Sequence, residues 1–147
     1  MLLLDANVLI GAFRDGENSH DGLRSWLLRA VDSSEPYVIP DVVFSAVIRI
    51  TTNPRTYGPG GGVPSAMSDC LRFCAQLRSR PSFQAFVPTV AHWNLFTTFC
   101  SIPGVVGNHV TDAYLAAAAV DQGAELITAD RGFIRYPGLR FRNPLDG

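Results

Sequence analysis

Leu2-Leu3-Leu4-Asp5-Ala6-Asn7 opens the chain, and Glu125-Leu126-Ile127-Thr128-Ala129-Asp130 answers it near the end. Each is a short apolar run closed by an acid. Such a run reads as a strand buried on both faces of a parallel sheet. In an open α/β sheet, ligands gather beyond the carboxyl ends of the strands, so Asp5 and Asp130 both fall on that rim. Asp112 begins a helical stretch just before the second run and supplies a third acid. Carboxylates converging from distant parts of a chain repel one another unless a cation sits among them. Oxygen ligands completed by water suit Mg²⁺ or Mn²⁺ rather than zinc. Each acid also has a local reading: Asp5 as the cap of the next helix, Asp130 as the cap of the turn Asp130-Arg131-Gly132-Phe133, and Asp112 as a first-turn partner of a helix dipole.

Between the two runs, apolar strands alternate with helical spacing. After Leu2–Leu4, a short helix is expected over Asn7–Phe13. A second, from Ser19 or Asp21 to about Val31, carries Leu23, Trp26, Leu27 and Ala30 on one stripe. Tyr37–Ile39 reads as a strand and Val42–Thr52 as a helix stopped by Asn53-Pro54. Helices follow over Ser65–Leu77 and, capped by Thr89, over Val90–Cys100. A further helix runs from an Asn108 cap to Gln122, ended by Gly123. Phe86–Pro88 is expected to be a short third strand, Leu126–Thr128 the next and Leu139–Arg142 a last edge strand. The alternation predicts a single domain over residues 1–147, a three-layer α/β/α sandwich around a mostly parallel sheet. Pro54–Pro64, with Gly58-Pro59-Gly60-Gly61-Gly62, lacks the GK[ST] ending of a phosphate loop and reads as a flexible connector.

Composition excludes several classes. Apolar residues make up 47% of the chain, enough for a core, yet no run approaches the ~20 residues that span a bilayer. No basic region precedes the first apolar residues and Asp5 interrupts them, so no signal peptide is expected and the protein reads as cytoplasmic. Cys70, Cys74 and Cys100 show no CxxC spacing and read as reduced thiols. His20 and His92 read as structural, while His109 lies near Asp112. The net charge is −1, and all twelve basic residues are Arg. Arg131, Arg135, Arg140 and Arg142 crowd the last seventeen positions, a positive rim suited to phosphate beside the acids.

Four segments, in order, resemble PIN-domain ribonucleases, most closely the VapC-type toxins of bacterial toxin–antitoxin pairs. Asp5-Ala6-Asn7-Val8-Leu9 is similar to that family's opening. Val110-Thr111-Asp112-Ala113-Tyr114-Leu115-Ala116-Ala117 resembles its central acidic helix, and Thr128-Ala129-Asp130-Arg131-Gly132-Phe133 its last acidic segment. Arg49-Ile50-Thr51-Thr52-Asn53-Pro54-Arg55 resembles one branch. The resemblance implies a PIN-like fold and metal-dependent hydrolysis of RNA phosphodiesters. It further implies Asp5, Asp112 and Asp130 as catalytic metal ligands, supported by Asn7 and Thr128. A VapB-type antitoxin and a homodimer are expected partners. The antitoxin is expected to lay an apolar helix along walls carrying Phe13, Trp26, Leu27 and Val43. One departure stands out: the family commonly has a Glu near position 46, and here Ala46 occupies it. The alternatives are a PIN-fold module that binds RNA or protein without turnover, and a phosphatase using Asp5. The latter is disfavoured because Asn7 breaks D-x-D and no Lys is present.

Overall fold

The computed structural model describes residues 1–58 and 60–147. Five strands, β1 (Leu2–Leu4), β2 (Tyr37–Val38), β3 (Phe83–Gln84), β4 (Glu125–Ile127) and β5 (Phe141–Arg142), form one sheet in the order β3-β2-β1-β4-β5. Every pairing is parallel. Six helices form the outer layers of the sandwich: α1 (Ala6–Phe13), α2 (His20–Asp32), α3 (Asp41–Thr51), α4 (Met67–Arg78), α5 (Val90–Cys100) and α6 (His109–Gln122). A 3-10 turn follows β4 at Arg131–Arg135.

β1 lies at the centre because Leu2, Leu3 and Leu4 are apolar on both faces and have somewhere to go on each. The chain builds outward from β1 to β2 and β3, then returns to add β4 on the other side. The carboxyl ends of β1 and β4 therefore form the point where the direction of sheet growth reverses, with Leu4 in register with Ile127. α6 packs close because Ala116, Ala117, Ala118 and Ala119 are all buried and offer only methyl groups. Gly11 plays a similar part in α1: a Cβ there would overlap the side chain of the buried Leu23 on α2. Gly123 ends α6 at φ 65°, a left-handed cap that glycine adopts without steric cost.

The structure moves some elements from where the sequence placed them. The third strand is Phe83–Gln84, not Phe86–Pro88. Tyr37 N donates to Ser82 O, and the Phe83 ring meets Tyr37 edge-on, so pairing with β2 selects the segment. Val87 is exposed, and its carbonyl accepts from Gln122 Nε2 instead. Asn108 does not cap α6 through its side chain; it is already helical. The connector expected at 54–64 includes residue 59, outside the described residues, but its flanks are tied down. Tyr57 is buried, Arg14 stacks 3.5 Å above its ring, and Arg14 also donates to Ser65 Oγ and Val63 O. All three cysteines are free, and Cys70 and Cys74 are buried.

Because Leu3 is wholly buried at the centre of the sheet, Leu3→Ala is expected to cost about 2–5 kcal/mol. Chemical denaturation should show a lower midpoint at an unchanged m-value.

A candidate active site at the strand switch point

The residue after β1 is Asp5, and its backbone N–H donates to Ile127 O at 3.0 Å, carrying the ladder one step past the strand. This places the Asp5 side chain beside Thr128, the residue after β4. Thr128 Oγ1 donates to Asp5 Oδ2 at 2.7 Å. Asn7 Nδ2 lies 3.0 Å from both Asp5 Oδ2 and Thr128 Oγ1, while Asn7 Oδ1 accepts from Ala129 N at 3.1 Å. Asp5 Oδ1 accepts from Ala6 N at 2.7 Å, capping α1. The local and the functional readings of Asp5 thus coexist in one side chain. Asn7 and Thr128, expected as supports, hold a buried carboxylate in one orientation.

Asp112 sits in the first turn of α6, half-buried, with Oδ2 3.4 Å from His109 Nδ1. Asp130 caps the 3-10 turn by accepting from Gly132 N at 2.7 Å, and its own N–H donates to Thr128 Oγ1. A cleft of about 370 Å³ joins Asp5, Asn7, Asp112 and Asp130 with Val42, Ala46 and Arg49 of α3. The structure therefore unites the three acids predicted from sequence. It does not close them into a ligand cage: among the described residues, no three His, Cys, Asp or Glu side chains form a group that could hold a metal ion.

Burial raises the Asp5 pKa above 3.8, against the lowering hydrogen bonds from Thr128 and Ala6; the charges of Asp112 and Asp130 add to the rise. Burial likewise raises that of Asp112, and Asp130 adds to it, while His109 and Arg135 oppose it. Among the described residues no Arg lies within ion-pair distance of Asp5, Asp112 or Asp130. Carboxylate oxygens with spare lone pairs and no Arg paired to them are the donor chemistry that a hard divalent ion requires.

The expected basic rim divides. Arg135 reaches the site: its Nε donates to Gly132 O, and its charge acts on Asp112. Arg131 pairs with Asp146 at 3.8 Å. Arg140 and Arg142 are not brought to the acids. Arg140 donates to Gly123 O and Arg142 pairs with Glu125 at 3.1 Å, both near the amino end of β4. β5 runs parallel to β4, so the chain must cross back to that end before β5 starts. Arg49 lines the cleft and was not among the expected site residues; its only sequence signal was membership of the Arg49–Arg55 segment.

Known proteins resemble this chain along most of its length. The family model described as PIN domain matches residues 2–139. Ribonuclease VapC43 of Mycobacterium tuberculosis is 36% identical over 147 residues, covering 100% of this chain and 97% of that protein. Among solved structures, VapBC2 from Rickettsia felis bound to a promoter DNA fragment superposes with TM-score 0.65 at 18% identity, covering 97% of each chain. Mycobacterium tuberculosis VapC20, described as a sarcin-ricin loop cleaving toxin, gives TM-score 0.66 at 11% identity, covering 91% of this chain and 93% of that one.

A raised carboxylate pKa means that the folded state binds the proton more tightly than the unfolded chain does. In chelator, stability therefore improves as pH falls from the raised values towards 3.8, and the cost is fully present above that window. Asp112→Asn removes its share, so the melting temperature at pH 7 should hold or rise and the gain on acidification should shrink. Asp5→Asn should instead lower it, because its new NH₂ faces the Thr128 hydroxyl and the Asn7 amide, both donors.

Proposed function

The chain belongs to the PIN-domain family, and from that premise we infer that it is the VapC-type ribonuclease toxin of a toxin–antitoxin pair. We propose further that it cuts RNA with a Mg²⁺ or Mn²⁺ ion held by Asp5, Asp112 and Asp130. The observation that carries this reading is the convergence of three acids on one cleft with no Arg paired to any of them. A divalent ion bound there lowers the pKa of water and draws charge from the phosphoryl oxygens.

The chain's own residues do the rest. Thr128 and Asn7 fix the Asp5 carboxylate at the wall of the cleft. Asp112 and Asp130 approach from α6 and from the 3-10 turn, so the acids come from three separate elements held by one sheet. The apolar side chains of Val42 and Ala46 form a wall without the acid common in the family. Three carboxylates rather than four leave more of the ion's positions to water and substrate oxygens.

The antitoxin is the partner of this toxin. Its docking groove we assign to a cleft of about 840 Å³ between α1, α2 and α4, whose walls include Phe13, Leu27, Leu28 and Phe73. Phe13 and Leu27 were expected there; Val43 instead lines the acidic cleft, and Trp26 packs against the core. An amphipathic helix fits such a groove, its apolar face against these walls and its polar flanks against Arg24, Asp69 and Arg72. A homodimer is supported by apolar side chains left in solvent at Val87, Val90 and Trp93.

Incubation of the purified chain with labelled RNA and Mg²⁺ should give cleavage that chelator abolishes. Asp112→Asn, still folded, should lose at least about a hundredfold in rate. RNA binding without cleavage under any divalent ion would instead favour a module that has lost turnover. Sedimentation at micromolar concentration should show a dimer; a monomer would remove that part of the proposal.

A further inference from the structure

Of the twelve Arg residues, eight have a partner within the chain. Arg14 donates to Ser65 Oγ and Val63 O, Arg135 to Gly132 O and Arg140 to Gly123 O; Arg72, Arg78, Arg80, Arg131 and Arg142 each pair with an acid. Arg24, Arg29, Arg49 and Arg55 show none among the described residues. Of those four, only Arg49 lines the acidic cleft.

Thr51, Thr52 and Asn53 of its segment are accounted for by the fold. Thr51 is wholly buried, donates to Val47 O and lies 3.1 Å from Cys70 Sγ, joining α3 to α4. Thr52 donates back to Ile48 O, and Asn53 Oδ1 accepts from Arg55 N to turn the chain. These contacts fix the last turn of α3 and hence the place of Arg49. The exposed guanidinium is left with no internal task. It shares the cleft with three carboxylates, yet it is ion-paired to none of them. The charges acting on Asp5 and Asp112 are those of the other acids, His109 and Arg135. A free guanidinium that lines a cleft without neutralising its acids is placed to meet an anion lying between them.

We infer that Arg49 contacts a phosphate of the bound RNA and seats the strand against the carboxylates. This rests on the ribonuclease reading and names a residue that it did not include. The planar fork of Arg suits a phosphate's paired oxygens, and no counter-charge has to be displaced first. Ala46, one turn earlier on α3, leaves the phosphate no acid on that wall to repel it.

The test uses a short labelled random-sequence RNA. Binding is measured in the Asp112→Asn background across a range of salt, and cleavage in the parental background. Arg49→Ala should raise KM about tenfold with a smaller change in kcat, and should leave the melting temperature unchanged. The plot of log K against log salt should become shallower by about 0.7. Arg49→Lys should recover that slope and only part of the affinity, since the charge returns without the fork. Parental KM and parental salt slope in Arg49→Ala overturn the inference, and so does a fall in kcat with both unchanged. A parental chain that cuts no RNA would sink the ribonuclease reading, while the salt slope would still decide the role of Arg49.

Discussion

A carboxylate buried at the end of a strand is costly unless its oxygens are satisfied, and the site depends on how that cost is met at Asp5. Its oxygens accept from Ala6 N, Asn7 Nδ2 and Thr128 Oγ1. Two of those donors lie within two residues in sequence, and the third lies at the end of another strand, over a hundred residues away. The register between β1 and β4 is thus also the register between Asp5 and Thr128. A slip of one residue would turn the strands' side chains to the wrong faces and separate the carboxylate from its hydroxyl donor.

The same network shapes the electrostatics. The Thr128 hydroxyl and the Ala6 N–H stabilise the ionised form of Asp5, while burial and the neighbouring acids oppose it. The result is a site under tension, with three acids sharing a cleft and no guanidinium paired to relieve them. A structural ion-pair network would have placed an Arg there. Instead, Arg49 of α3 lines the cleft without an acid partner, and Arg135 of the 3-10 turn acts on Asp112 through its charge. A negative centre with a divided positive rim is the charge pattern that the proposed pairing of a divalent ion with a polyanion calls for.

Much of this was legible because the informative residues sit next to the elements that place them. Leu2–Leu4 is apolar on consecutive positions, and Thr89 precedes a helical run that begins at Val90 and ends at Cys100, as the structure confirms. Residues whose roles depend on who pairs with whom were harder to read. β3 has only two residues, and nothing in Phe83-Gln84 outweighs Phe86-Val87 as a strand signal until Tyr37 and Phe44 supply aromatic neighbours. Arg140 and Arg142 lie close to Asp130 along the chain, yet Arg140 precedes β5 at the amino end of β4, and Arg142, though opposite Ile127, turns its side chain back to Glu125.

By itself, then, the sequence determined the parallel α/β architecture, the three acids and their two supports. Apolar runs closed by polar residues are local patterns, and a strand's end is a fixed place in an open sheet. Tertiary structure alone decided which charges face the acids. It turned Arg140 and Arg142 away, left Ala46 in the wall and brought Arg49 into the cleft. Periodicity along a chain reports which face of an element is buried. It does not report which element lies opposite, because that depends on the order of strands and on the path between them.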